Sequence, residues 1–158
     1  MIHDRIEEFA AALPRHGALV GLDLGTKTIG VAVSDGLRSV ATPLLTVRRR
    51  KFTTDVEEIE AVIRGRAVVG IVLGLPLNMD GTEGPRAQSS RAFARNMARR
   101  DAPPIAFWDE RLSTVAAERA LLEADASRSR RAAVIDHIAA GYILQGALDR
   151  LRHLAAAS

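Results

Sequence analysis

The sequence predicts an α/β protein with a mixed five-stranded sheet covered by helices on both faces, and three observations carry that prediction. Strand-like runs over about 18–24, 28–34 and 39–47 follow one another with only short turns between them. Beyond that meander, helix-like and strand-like segments alternate, as crossover connections require. The segment "AVVGIVLGLP", from Ala67 to Pro76, is a continuous apolar run of strand length, as expected of a strand covered on both faces.

Each element has a local reason. Residues 2–13 read as a short amphipathic helix ended by Pro14 and Gly17. In the first strand of the meander, side chains alternate, so Val20, Leu22 and Leu24 share one face while Leu19, Gly21 and Asp23 share the other. Turns near Gly25-Thr26 and Asp35-Gly36 separate the three strands. Thr53 or Thr54 is the expected cap of a helix over 54–65, where Val56, Ile59 and Ile63 recur at helical spacing. After the apolar strand come the loop "GLPLNMDGTEGP", a basic helix over 84–100 and a short buried strand in "PPIAFWDE". "STVAAERALLEA" reads as a capped helix, and a last helix runs from Arg130 or Arg131 to about Leu151. There is no internal repeat or long linker. The organisation is one domain over 17–152 preceded by a helical extension over 1–16.

Composition narrows the partners. The 158 residues suit a single domain with a real core. The absence of cysteine excludes disulfides and thiolate metal sites. No apolar run reaches the roughly 18–20 residues that span a bilayer, so no membrane partner is expected. "MIHDRIEEFAAALPRHG" carries acids early and lacks a basic flank, unlike a secretory signal, so a cytoplasmic protein is expected. Of the 22 basic residues, all but Lys27 and Lys51 are arginine, clustered at Arg48-Arg49-Arg50-Lys51, Arg99-Arg100 and Ser127–Arg131. Such clusters solvate a surface, and they are also the footprint of a polyanionic partner.

Three acids stand where packing alone would not put them. Asp23 lies in an apolar strand, Glu110 closes the fifth strand, and Asp136 lies in the last helix on the same face as Ala139, Ala140, Ile143 and Ala147. Each taken alone fits a buried acid satisfied by an arginine or a backbone cap. If the three converge, their mutual repulsion calls for a cation, and hard oxygen ligands select Mg²⁺ or Mn²⁺. A pair of such ions clamps the attacking and leaving oxygens in phosphodiester cleavage.

Four blocks, "GLDLGTKTIGVAVSD", "VLGLPLNMDGTEGP", "DERLSTVAAERAL" and "IDHIAAGYILQGAL", resemble the signature blocks of the YqgF/RuvX family in order and spacing, over nearly the whole chain. Members of that family are described as Holliday junction resolvases and as nucleases for the 5′ end of pre-16S ribosomal RNA. The resemblance implies a ribonuclease H-like fold and a metal-dependent nuclease. Asp23, Glu110 and Asp136 match the family's catalytic, metal-binding acids, with Mg²⁺ or Mn²⁺ as cofactor. It also implies that Asn78 and Asp80 shape the substrate side of the cleft. The family's lysines before the final acid are replaced by Arg128, Arg130 and Arg131, followed by Ala132 and Ala133, so the positive charge is shifted outward. The expected partner is nucleic acid, pre-rRNA before branched DNA, with pre-ribosomal particles as its setting.

Candidate nucleic-acid contacts are Lys27, Asn78, Arg111, Arg128, Arg130 and Arg131. Lys27 follows the Gly25 turn and suits either a phosphate contact or a plain hairpin. Asp109 is the expected structural partner of Arg111, and Trp108 is expected in the core. Two other classes of function fit parts of the sequence less well. "DLGTKTIGVAVSD" resembles the first phosphate loop of actin-like sugar kinases, but that machinery closes two such domains over ATP, and this chain has room for one. A non-catalytic RNA-binding assembly factor is favoured by loss of any of the three acids, and none is lost.

Overall fold

β2 (Leu19–Leu24) sits inside the sheet, and its two faces set the architecture. The computed structural model describes residues 1–112 and 128–157, with side chains described for 1–112 and 137–157. β2 is followed by β3 (Thr28–Ser34) and β4 (Ala41–Arg48), paired antiparallel as a meander. On its other side lie β5 (Gly70–Leu75) and β6 (Ile105–Asp109), paired parallel. The spatial order β1-β6-β5-β2-β3-β4 includes a sixth strand that the sequence reading does not contain.

That strand is β1 (Ile2–His3), which pairs parallel with β6 through Ile2↔Ile105 and His3↔Ala106. Two residues are too few to carry a periodic signal, so sequence pattern absorbs them into the following helix. The helix itself, α1 (Ile6–Ala12), is correspondingly shorter than expected. Its Phe9 is fully buried, and Phe9 and Leu13 close over Gly70, where a Cβ would meet Leu13 Cδ2 at 2.7 Å and Phe9 Cζ at 3.0 Å.

α2 (Phe52–Gly65) and α3 (Pro85–Ala98) cover one face of the sheet, and α1 and α4 (Arg128–Ala157) cover the other. The expected threonine cap of α2 is a correction: the helix starts at Phe52, and no cap side chain bonds its first turn. Instead the buried Asp55 carboxylate accepts from the Arg50 N–H at 3.0 Å, an acid in the first turn reaching back beyond the helix start. Pro85 opens α3, where a missing N–H costs nothing. The helix expected over "STVAAERALLEA" lies outside the described residues. Among the described residues no helix is long and apolar enough to cross a membrane.

The alternation along β2 decides what each layer holds. Val20, Leu22 and Leu24 enter the core under α2 and α3 with Ile29, Val31, Ile71, Leu73 and Phe93. Leu19 faces the other way, with Val72, Ala106 and Trp108, under Ala140, Ile143, Leu144 and Leu148 of α4.

Candidate active site

Asp23 lies near the carboxyl end of β2, and its neighbours across the sheet are residues without side chains. It is paired directly with Gly30 of β3, and Gly30 is paired with Thr46 of β4. On the other side the parallel register runs through Leu22↔Leu73, which brings Gly74 of β5 into the next row, and Gly74 pairs with Trp108 of β6. Residues opposite one another on neighbouring strands share a face. Thr46, Gly30, Asp23, Gly74 and Trp108 therefore form one row beneath α4. The Asp23 side chain is buried at 4% exposure in that row.

Glu110 arrives from the far side of Gly74. β6 ends at Asp109 and the chain turns into a single 3-10 turn over Glu110–Leu112. A Cβ at Gly74 would stand 3.5 Å from both Cγ and Cδ of Glu110. The same Cβ would stand 2.7 Å from Ile143 Cδ1, so Ile143 and Glu110 together cover Gly74, with Asp23 on the strand beyond. In the sheet, β5 lies between β2 and β6, and Gly74 is its residue in the row between Asp23 and Trp108.

The third acid is fixed by its helix. α4 runs antiparallel to β2, since His137, Gly141 and Gln145 meet Thr46, Pro43 and Ala41 in turn along β4. Ala140 and Leu144 press on Gly21, where a Cβ would stand 2.6 Å from Leu144 Cβ and 3.0 Å from the Ala140 carbonyl oxygen. One turn back from Ala140 is Asp136, about 6 Å along the helix axis. Two residues forward from Gly21 is Asp23, about 6.6 Å along the strand. The backbone of Asp136 therefore lies at the same end of the sheet as Asp23; its side chain lies outside the described ones.

Carboxylate oxygens are the hard donors that Mg²⁺ and Mn²⁺ take. The side chains of Asp23 and Glu110 bring such oxygens to this end of the sheet, on either side of Gly74. Among the described residues no group of three metal-ligating side chains is assembled.

The expected nucleic-acid contacts divide. Lys27 is exposed at the tip of the β2–β3 turn, and its carbonyl accepts from the Arg49 N–H at 2.9 Å. Asn78 is occupied within its own loop: its amide donates to Thr82 Oγ1 at 2.9 Å, and its N–H to the Thr82 carbonyl at 2.9 Å. Asp80 closes the same loop by accepting from the Thr82 hydroxyl and N–H, bonds that hold its carboxyl below its ordinary range. Arg111 is committed to the protein. It grips Asp109 at 2.8 Å and reaches the Met79 carbonyl at 3.3 Å, tying the loop to the end of β6. The Arg111 guanidinium lowers the Asp109 pKa, as the expected structural partnership requires. Gly81 gives that contact room: its φ is +89°, and a Cβ there would press on Arg111 at 3.4 Å. Arg128, Arg130 and Arg131 open α4, and their side chains lie outside the described ones.

Sequence reasoning missed two features of this end of the sheet. One is Gly74, whose missing side chain lets Ile143 of α4 and Glu110 close over the sheet beside Asp23; a glycine inside an otherwise apolar strand is the signal that could have found it. The other is the hydrogen bond between His137 Nδ1 and Thr46 Oγ1, 3.0 Å apart, which pins the α4 backbone beside Asp136 to β4. Trp108 is buried as expected, under Gly146 of α4.

Comparison with known proteins places the chain in a family. The family described as "RuvX: Holliday junction resolvase" matches residues 17–150. A protein of Cereibacter sphaeroides named "Putative pre-16S rRNA nuclease" is 75% identical over 151 residues, covering 96% of this chain and 94% of that protein. One of Paracoccus denitrificans with the same name is 71% identical over 154 residues, covering 98% of both. Among solved structures, RuvC of Thermus thermophilus in complex with a Holliday junction substrate superposes with a TM-score of 0.51 at 14% identity, covering 85% of this chain and 95% of that one. That likeness is one of fold, the ribonuclease H-like arrangement expected from the sequence. By the family match and by these relatives, the chain belongs to the RuvX family.

Proposed function

We propose that this protein is a divalent-metal-dependent nuclease that trims the 5′ end of pre-16S ribosomal RNA, with Asp23, Glu110 and Asp136 holding Mg²⁺ or Mn²⁺. The observation that carries the reading is the buried Asp23 carboxylate near the carboxyl end of β2, with Glu110 covering Gly74 on the neighbouring strand and the backbone of Asp136 at the same end of the sheet.

Bound divalent ions would polarise the scissile phosphate and stabilise the attacking and leaving oxygens. The chain's own part is to hold its carboxylates rigid and to collect the substrate. β2 fixes Asp23 within the sheet, and the 3-10 turn after β6 aims Glu110 across Gly74. Arg111 and Asp109 anchor the 76–84 loop beside them. Lys27, Arg128, Arg130 and Arg131 add positive charge around that edge, suited to a substrate read by its backbone. With few aromatic side chains, stacking readout of bases is minor. The nuclease unit spans 17–152, with residues 1–16 as an extension packed onto it, and the setting is the pre-ribosomal particle in the cytoplasm.

RNA is favoured by the name that the relatives carry; the family description favours branched DNA as the second reading. The test is purified protein with Mg²⁺ or Mn²⁺, given a pre-16S 5′ fragment and a four-way DNA junction side by side. The proposal predicts metal-dependent shortening of the RNA, and 5′-extended 16S precursor in cells depleted of the protein. Cutting of the junction with the RNA left intact would establish the resolvase instead. Binding without cutting of either would establish a non-catalytic assembly factor.

A further inference from the structure

Asp23 is followed by Leu24 and Gly25, and each of their carbonyls accepts from an arginine. Arg86 Nη2 donates to the Leu24 carbonyl at 3.4 Å, and Arg49 Nη1 donates to the Gly25 carbonyl at 2.6 Å. Arg86 is the second residue of α3, whereas Arg49 directly follows β4. Chain segments far apart in sequence thus bring two guanidinium groups to the same turn, immediately beyond the buried acid. Between them lies an open cleft of about 230 Å³, lined also by Thr26 and Ser89.

These two arginines differ from those held in ion pairs. Arg91 pairs with Glu83 and Asp4, Arg100 with Glu60, and Arg111 with Asp109. Among the described residues no carboxylate pairs with Arg49 or Arg86; their recorded partners are backbone carbonyls. A guanidinium has five N–H donors, so one carbonyl bond orients each group and leaves most donors unspent. The first turn of α3 carries no acid, and its dipole adds potential of the same sign. Two oriented, un-neutralised guanidiniums with hydroxyls beside them match a phosphodiester, whose oxygens take forked N–H pairs.

We propose that Arg49 and Arg86 clamp a backbone phosphate of the substrate strand next to the one cleaved at Asp23. The clamp rests on the nuclease reading above and adds to it a direction: the strand leaves the acids over the β2–β3 turn toward the start of α3. Neither arginine reaches the reacting atoms through this contact; both set where the strand lies.

The experiment is a fluorescence-anisotropy titration of a pre-16S 5′ fragment in EDTA, at several KCl concentrations from 50 to 200 mM, followed by KM and kcat with Mn²⁺. Arg86→Ala removes an exposed fork. Arg49→Lys keeps the charge and a link to the Gly25 carbonyl while removing the fork, and a thermal melt confirms that both variants fold. Arg99→Ala, at the far end of α3, is the control. The double variant is expected to bind about tenfold more weakly, with its salt slope reduced by about one phosphate contact and a raised KM at nearly unchanged kcat. Arg99→Ala is expected to match wild type. If wild type binds and cuts the RNA and the double variant does so with the same affinity and salt slope, the clamp is refuted and the nuclease reading stands. If wild type neither binds nor cuts, the nuclease reading falls and takes the clamp with it.

Discussion

The two faces of β2 are built on opposite terms, although they share six residues. On the α2 and α3 side, Val20, Leu22 and Leu24 fill space with branched apolar side chains in a broad core. On the α4 side, Gly21 gives up its side chain so that Leu144 and Ala140 can press against the strand, and Asp23 stands where apolar packing would otherwise continue. One face holds the fold by volume. The other trades volume for close approach, and the helix so docked carries Asp136 to the level of Asp23. The lesson is that a buried acid in a small enzyme is recognised less by its own burial than by what its neighbours omit.

The contrast can be broken in order of expected effect. Asp23→Asn keeps shape and volume while removing a charged ligand, so RNA cleavage should fall about a thousandfold or more in a protein that still melts cooperatively. Retained cleavage would make Asp23 an ordinary structural acid. On the opposite face, Leu22→Ala opens a cavity in the broad core and should cost about 2–5 kcal/mol in denaturant unfolding, with kcat per folded molecule unchanged. Gly21→Ala sets a Cβ 2.6 Å from Leu144 Cβ and should cost about 1–3 kcal/mol by overpacking. Unlike Leu22→Ala, it should also lower kcat, because lifting α4 separates Asp136 from the other acids. Equal kinetic silence from both variants would erase the distinction between the faces.

The smallest effect concerns the loop beside the site. Arg111 holds the Asp109 carboxyl below its usual range, so the folded form binds its proton later than the unfolded chain as pH falls. That contribution to stability is complete above the ordinary Asp pKa, near about 4, and is lost as pH drops through the lowered folded value. The melting-temperature gap between wild type and Asp109→Asn should therefore be small and constant at neutral pH and close under acid conditions. A gap independent of pH would mean that the pair does not anchor the loop through its charge.

Much of this was legible in the sequence, for reasons that differ by element. β3 carries enough alternating residues for its bounds of 28–34 to be read directly, and β5 declares itself as a continuous apolar run. β1 was invisible because a two-residue strand draws its stability from β6 and not from its own pattern. The start of α2 differs from the expected threonine cap because the helix begins at Phe52 with no side-chain cap, and the buried Asp55 instead accepts from the Arg50 N–H ahead of it. At the site, the residue types pointed to three acids, but the place of Gly74 between Asp23 and Trp108 depends on strand register, which no single segment encodes. Arg49 and Arg86 are 37 residues apart in sequence, one inside a basic cluster and one alone, until the fold brings them to one turn.

The proposed metal centre joins the carboxylates at the carboxyl ends of β2 and β6 to Asp136, in the third turn of α4. Anomalous scattering from crystals of the protein grown with MnCl₂ tests it most directly. The account predicts one or two manganese peaks within about 2.5 Å of carboxylate oxygens of Asp23 and Glu110, with Asp136 completing the set. Manganese bound elsewhere, or Asp136 turned to the opposite side of the sheet from Asp23 in those crystals, would contradict it.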